Sequence, residues 1–294
     1  MNIALARAAQ LPAHEHDEDG LVDAMAAEGL FGVWCAWDDP AVRWADFDAV
    51  WIRTTWDYQW KLREFRAWVA EVGSQTRLFN PAPIVLWNLD KRYLGELEQG
   101  GIPIAPTVWL DPGDDPAVAM EQRGWSRGFL KPVVGANALR TLRFEADTAG
   151  LAAAREHCEK HRESMLLQPY LRSVEEQGEV SVVLADGKIS HAVRKIPVAG
   201  DYRTQDDWGA VDQPLVLFHG EDVFAKRVMA VLQRRFDGVL GRRAPLVARV
   251  DTLRDDRDQL VLNELELIEP SLFFRHGPGA MRGFAQALAE RLGE

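Results

Sequence analysis

Two stretches near the end of the chain set carboxylates inside otherwise apolar strands, and this restricts the fold more than any other feature. The first reads Leu246-Val247-Ala248-Arg249-Val250-Asp251-Thr252-Leu253. The second reads Leu260-Val261-Leu262-Asn263-Glu264-Leu265-Glu266-Leu267, after a charged turn from Arg254 to Gln259. Side chains alternate along a strand, so Glu264 and Glu266 share a face. Pairing the two runs as a hairpin sets Asp251 opposite Glu264 and closes the register at Arg254 and Val261. Cross-strand neighbours then stand about 5 Å apart. Three carboxylates so placed repel one another, and burial would raise their pKa values. A hard divalent cation with oxygen ligands, Mg²⁺ or Mn²⁺, would resolve the conflict. An ordinary ion-paired sheet in which Arg249 neutralises Glu266 would resolve it equally well. At this level both readings stand.

Composition excludes several classes. The 294 residues carry 34 Lys and Arg against 45 Asp and Glu, a net charge of −11, which argues against a non-specific nucleic-acid or membrane-surface binder. With 47% hydrophobic residues the chain has ample material for a packed core. Its apolar runs are too short to span a bilayer, and the N-terminal stretch does not resemble a signal peptide. Two cysteines, Cys35 and Cys158, make no disulfide framework, and a cytoplasmic location is expected.

The first eighty residues alternate strand and helix: strands at Asn2–Ala6, Leu30–Trp37, Ala49–Arg53 and Leu78–Asn80, with a helix capped by Asp17 and another over Tyr58–Val72. Short turns between them imply a small parallel sheet. Seven of the eleven tryptophans fall here, and packing is their ordinary use. Asn80-Pro81-Ala82-Pro83 reads as a linker. A helix started by Asn88 or Asp90 and carrying Lys91 follows. Further strands are expected at Phe129–Val134, Met165–Pro169, Glu179–Ala185 and Ile189–Arg194. Helices are expected at Thr148–His161, Asp222–Val239 and Gly279–Leu292.

There is no GxxxxGK[ST] loop, no HExxH and no proper GxGxxG. His157 and His161 lie four apart but among charged neighbours, which describes a solvated helix face. His14 and His16 lie in an acidic loop and are expected to be exposed. Lys131 is more informative: a lysine in the apolar strand Phe129–Val134 must reach an anion or snorkel to water. Gly135-Ala136-Asn137-Ala138 follows it, small enough for backbone N–H groups to close over phosphates.

Taken in order, these pieces resemble the ATP-grasp superfamily over most of the chain. Gly200-Asp201-Tyr202-Arg203-Thr204-Gln205 is similar to a segment of the glutathione synthetase and ribosomal-S6-modifying branch. Arg53-Thr54-Thr55-Trp56-Asp57-Tyr58, Trp87-Asn88-Leu89-Asp90-Lys91-Arg92-Tyr93-Leu94 and Glu264-Leu265-Glu266-Leu267-Ile268-Glu269-Pro270-Ser271-Leu272 resemble a bacterial group that includes the O-ureido-D-serine cyclo-ligase. The resemblance implies an α/β plus α+β architecture: a Rossmann-like pre-ATP-grasp domain over 1–82, then an ATP-grasp region over 83–294. Residues 83–168 would include its central lobe and 169–294 form its C-terminal lobe.

It also implies ATP with one or two Mg²⁺, Mn²⁺ being possible. Lys91 and Lys131 would hold phosphate, Gln168 and Leu171 adenine, Glu179 ribose, and Asp251, Glu264 and Glu266 the metal. Arg203 would stabilise an acyl phosphate. Arg53 and Asp57 are assigned to substrate, since their turn is expected at the acceptor cleft between lobes. Glu266 stands where many members carry Asn, which makes the metal site more anionic. The implied activity is ligation of a small carboxylate to an amine, with intramolecular cyclisation or a nucleotide-binding protein without catalysis as alternatives. Small-molecule partners are expected, with no nucleic acid or membrane; relatives of this kind commonly form dimers.

Overall fold

The computed structural model describes residues 1–12, 15–217 and 220–293; His14 lies outside them. The chain begins with β1 (Asn2–Arg7), α1 (Leu21–Ala27), β2 (Phe31–Ala36), β3 (Ala49–Ile52), α2 (Leu62–Gln75) and β4 (Arg77–Phe79). These strands form a parallel sheet in the order β2-β1-β3-β4. Apolar residues on both sides of each strand require cover on both faces. Ile3, Leu5 and Trp51 pack on Leu21 and Met25 of α1, whereas Ala4, Ala6, Val50 and Ile52 pack on Phe65, Val69 and Val72 of α2. Most of the tryptophan cluster is core: Trp37, Trp44, Trp51 and Trp68 are buried.

The segment read as a linker is instead structured. Pro81 leads directly into α3 (Ala82–Asn88), its fixed φ suiting a helix start. Buried Asn80 donates to the carbonyls of Val247 and Leu267 at 2.8 and 2.7 Å, tying the first sheet to the last strands. Asn88 does not start the next helix, α4 (Tyr93–Gln99); it ends α3 and donates to Leu265 O at 2.8 Å. Asp17 caps no helix either. Its carboxylate accepts from the N–H groups of Phe274 and Arg275, and α1 begins after Gly20.

Next come β5 (Val108–Leu110), α5 (Pro116–Arg123), β6 (Arg127–Pro132), β7 (Leu142–Glu145), α6 (Thr148–His161) and β8 (Met165–Pro169). They make an antiparallel sheet in the order β5-β8-β6-β7. Helix α5 and strand β7 were not expected. Asp115 caps α5 through Ala117 N at 2.9 Å, in a stretch whose Asp, Gly and Pro content reads as loop.

After a turn of helix, α7 (Ser173–Glu176), come β9 (Glu179–Ala185), β10 (Lys188–Ile196), β11 (Val211–Pro214), α8 (Glu221–Arg235), α9 (Asp237–Leu240), β12 (Val247–Arg254), β13 (Leu260–Glu266) and α10 (Ala280–Leu292). The strands form a sheet in the order β11-β10-β9-β12-β13. One face, with Val182, Leu184, Ala248 and Val250, packs on α8. On the other, Val183, Val193 and Val247 join the core of the first sheet, which α10 also completes through Phe284 against Trp51. Farther along that second face the residues turn polar: Glu179, Ser181, Lys195, Arg249 and Asp251. Alternation along three neighbouring strands makes this one surface.

Candidate active site

That polar surface is the floor of a cleft facing the β5-β8-β6-β7 sheet. Residues 135–139, 141 and 202–207 of two loops line it, as do residues 268, 269, 271 and 273. Asp251 stands opposite Glu264 and Arg249 opposite Glu266, as the hairpin register requires. Below Asp251 the register slips by one, so that Leu253 faces Val261 and Arg254 faces Leu260. The extra residue is Asn263, a bulge. It turns Asn263 into the cleft beside Glu264, where Lys131 Nζ donates to its Oδ1 at 3.1 Å.

The floor is a lattice of buried opposite charges. Lys91 Nζ lies 2.8 Å from Glu264 Oε1 and donates to Gly135 O at 2.6 Å. Lys195 Nζ lies 2.6 Å from Glu179 and 3.2 Å from Asp251. Arg249 donates to Asp251, at 2.8 Å through Nη2, and bridges to Glu266. Ser181 Oγ donates to Asp251 at 2.6 Å.

Burial opposes every one of these charges, and the neighbours decide the outcome. For Asp251, Arg249 and Lys195 outweigh burial and hold the carboxyl well below the usual range. Lys91 and Lys131 do the same for Glu264. For Lys131 burial wins and its pKa falls. Glu266 is pushed up to about 7 by burial, which Arg249 opposes and Asp251 and Glu264 reinforce.

Most of the residues expected at the site converge here. Lys91, Lys131, Gln168, Leu171, Glu179, Arg203, Asp251, Glu264 and Glu266 all line the cleft. Gln168 donates to Thr107 Oγ1 at 2.9 Å. Glu179 is buried in the floor, bonded to Lys195 and, at 2.7 Å, to Thr204. Arg203 is held by Asp201, 2.6 Å from Nη2, with its guanidinium 3.7 Å from the ring centre of Trp208. Among the described residues no three of His, Cys, Asp and Glu are disposed to hold a metal ion. The Arg249 guanidinium stands between Asp251 and Glu266, so the ion-paired alternative describes this part of the surface.

Arg53 and Asp57 correct the expectation that they face substrate, because neither lines the cleft. Arg53 is 0% exposed, paired with Glu18 and donating to Pro270 O at 3.2 Å. Asp57 accepts from Trp37 Nε1 at 2.7 Å and pairs with Lys61 at 2.8 Å. Their neighbours Trp56 and Tyr58 line the cleft instead. Sequence reasoning missed Lys195, Arg249 as a floor residue, and Asn263. Lys195 follows Arg194 in a strand of mixed polarity, Lys188–Ile196, and so did not stand out as Lys131 did; nothing local announced the bulge.

The family model for the D-cycloserine synthetase DcsG N-terminal domain matches residues 3–80, and that for the prokaryotic glutathione synthetase ATP-grasp domain matches residues 120–240. The cycloserine biosynthesis protein DcsG of Streptomyces lavendulae is 34% identical over 290 residues, 95% of this chain and 94% of that protein. The chain belongs to the ATP-grasp ligases. As an ATP-grasp ligase it forms an amide-type C–N bond at the expense of ATP, releasing ADP.

The crystal structure of D-cycloserine synthetase DcsG superposes with a TM-score of 0.90 at 29% identity, covering 99% of this chain and 100% of that one. A D-alanine–D-alanine ligase from Bacillus anthracis gives 0.69 at 15% identity, covering 98% and 95%, which speaks to the ATP-grasp fold alone. No helix among the described residues is long and apolar enough to cross a membrane.

Proposed function

We propose that this ligase activates the carboxylate of a small amino-acid derivative as an acyl phosphate and closes it onto a nitrogen of the same molecule. The observation that carries the reading is the charge lattice in the cleft: Lys91, Lys131, Lys195 and Arg249 from several elements converge on Glu179, Asp251, Glu264 and Glu266. Phosphoryl transfer to a carboxylate needs positioning and neutralisation of charge rather than a protein nucleophile, and fixed cations provide both. Intramolecular closure is supported by similarity to DcsG proteins over nearly the whole of both chains.

We assign Lys91, Lys131 and Lys195 to the nucleotide phosphates and Gln168 and Leu171 to the base. Arg203 reaches the transferring phosphoryl group, releasing Asp201 to do so. Glu179 and Asp251 hold Lys195 and Arg249 in place. The donor set fits a divalent cation: Glu264 and Glu266 are oxygen donors on one face of β13, each still partly open to the cleft. Glu264 and Glu266 would hold Mg²⁺ there. Bound Mg²⁺ neutralises phosphate charge and polarises the transferring group. Two free thiols, Cys35 and Cys158, fit a reducing cytoplasm.

The test is ADP release with ATP and Mg²⁺ against O-ureido-D-serine, D- and L-serine, D- and L-alanine and their dipeptides. Stimulation by a single compound, with a cyclic product in the mass spectrum, is the expected outcome. Stimulation only by pairs replaces cyclisation with intermolecular ligation. Tight ATP binding with no stimulation by any compound overturns catalysis.

A further inference from the structure

The turn after β13 carries a carboxyl group that the phosphate chemistry does not use. Glu269 is 8% exposed and lines the cleft together with Trp56, Tyr58 and Ser271. Its carboxyl forms no ion pair and no side-chain hydrogen bond among the described residues. The turn that presents it is held unusually firmly. Trp56 Nε1 donates to the carbonyl of Glu269 at 3.0 Å, Arg53 Nη2 to that of Pro270 at 3.2 Å and Arg249 Nη1 to that of Ser271 at 3.0 Å. Three successive carbonyls are thus fixed by side chains from the segment after β3 and from β12. Such support is what locks a reacting group in one geometry. The Glu269 carboxyl accepts from its own backbone N–H, but a buried carboxyl with no opposite charge paired to it still costs free energy, so its retention here asks for a ligand that uses it.

The reaction supplies one. A nitrogen that attacks an acyl phosphate must lose a proton, and among the described residues no histidine lines the cleft to take it. We propose that Glu269 is the proton acceptor for the attacking nitrogen, and this rests on the acyl-phosphate reading above. As the C–N bond forms, the C–O bond to phosphate breaks and phosphate leaves with its electron pair. One N–H proton passes to a Glu269 carboxylate oxygen. Burial, reinforced by the charge of Glu266, pushes Glu269 up to about 8, near the range where a general base works well. Trp56 and Arg53 are positioning residues: they act through the turn and do not touch the substrate's reacting atoms.

Hydroxylamine separates the two steps, because it is neutral at pH 7 and intercepts acyl phosphates as hydroxamates without a base. Wild type and Glu269→Gln are compared for hydroxamate and for ligated product, using the compound from the panel above that stimulates ADP release. The expected result is hydroxamate within about threefold of wild type in Glu269→Gln, and product formation lowered about 10²- to 10⁴-fold. Glu269→Asp, which keeps the carboxyl but withdraws it, falls between. Unchanged product formation in Glu269→Gln overturns the assignment while leaving the acyl phosphate intact. Equal loss of hydroxamate and product in a variant that melts like wild type overturns it too, since the residue would then serve activation. Absence of hydroxamate from wild type overturns the acyl-phosphate reading, and this assignment with it.

Discussion

The floor of the cleft and the loops that cover it use charge in opposite ways. On the floor, Lys195 and Arg249 project from sheet strands, are buried, and meet carboxylates fixed by the strand register. In the loops, Arg203 is partly exposed and bound to Asp201 two residues away, and loop touches loop through Trp208 Nε1 to Asn137 O at 3.1 Å. Asn137, Ala138 and Arg140 there all have positive φ, near 54°, 52° and 56°, a backbone held against local preference. A sheet fixes charge before substrate arrives. A loop can exchange one partner for another when it does.

If this contrast holds, substitutions on the floor damage folding and chemistry together, whereas those in the loops damage chemistry alone. Lys195→Met should have the largest effect. It leaves Glu179 and Asp251 buried with less compensation, at about 3–5 kcal/mol for breaking such a pair, and it should abolish ADP release. Urea denaturation with and without nucleotide checks this; wild-type stability would break the contrast.

Arg203→Ala is the loop counterpart. It should lower ligation about 10²- to 10³-fold, as loss of one transition-state donor does. The midpoint of unfolding and the affinity for ATP should stay close to wild type. Steady-state rates and nucleotide titration decide it, and wild-type turnover would remove Arg203 from the chemistry.

The third test is a pH slope. Glu266 and Glu269, at about 7 and 8, hold protons in the folded protein that the unfolded chain has released above about 4.5. The folded state therefore binds more protons between those values, and stability declines as pH rises through that window. Melting temperature measured from pH 5 to 8.5 should fall. It should fall less in Glu266→Gln, where one of the two groups is gone. A slope unchanged by that substitution would mean the floor does not hold these protons.

Much of the site was legible because strand alternation converts spacing into placement. Asp251, Glu264 and Glu266 were put together by period and register alone, and Lys131 was conspicuous as a charge among apolar neighbours. What escaped had no local signal. The bulge that turns Asn263 inward depends on how two strands settle against each other. Arg53 and Asp57 lie in a segment of the right character for a cleft, yet their side chains found partners elsewhere, Arg53 with Glu18 and Pro270, Asp57 with Trp37 and Lys61. Asn80 looked like punctuation between domains and is a buried tie between sheets.

The chain's own pattern determined the kinds of elements, the parallel first sheet and the crowding of acidic groups on a later strand pair. These follow from periodicity and from the local cost of placing charge among apolar side chains. Only tertiary contact decided which cation meets which anion, which side of residue 263 faces the cleft, and that the turn after β13 is pinned from the segment after β3 and from β12. Those outcomes depend on groups far apart in the chain whose mutual distances are set by packing, and no window of sequence contains them.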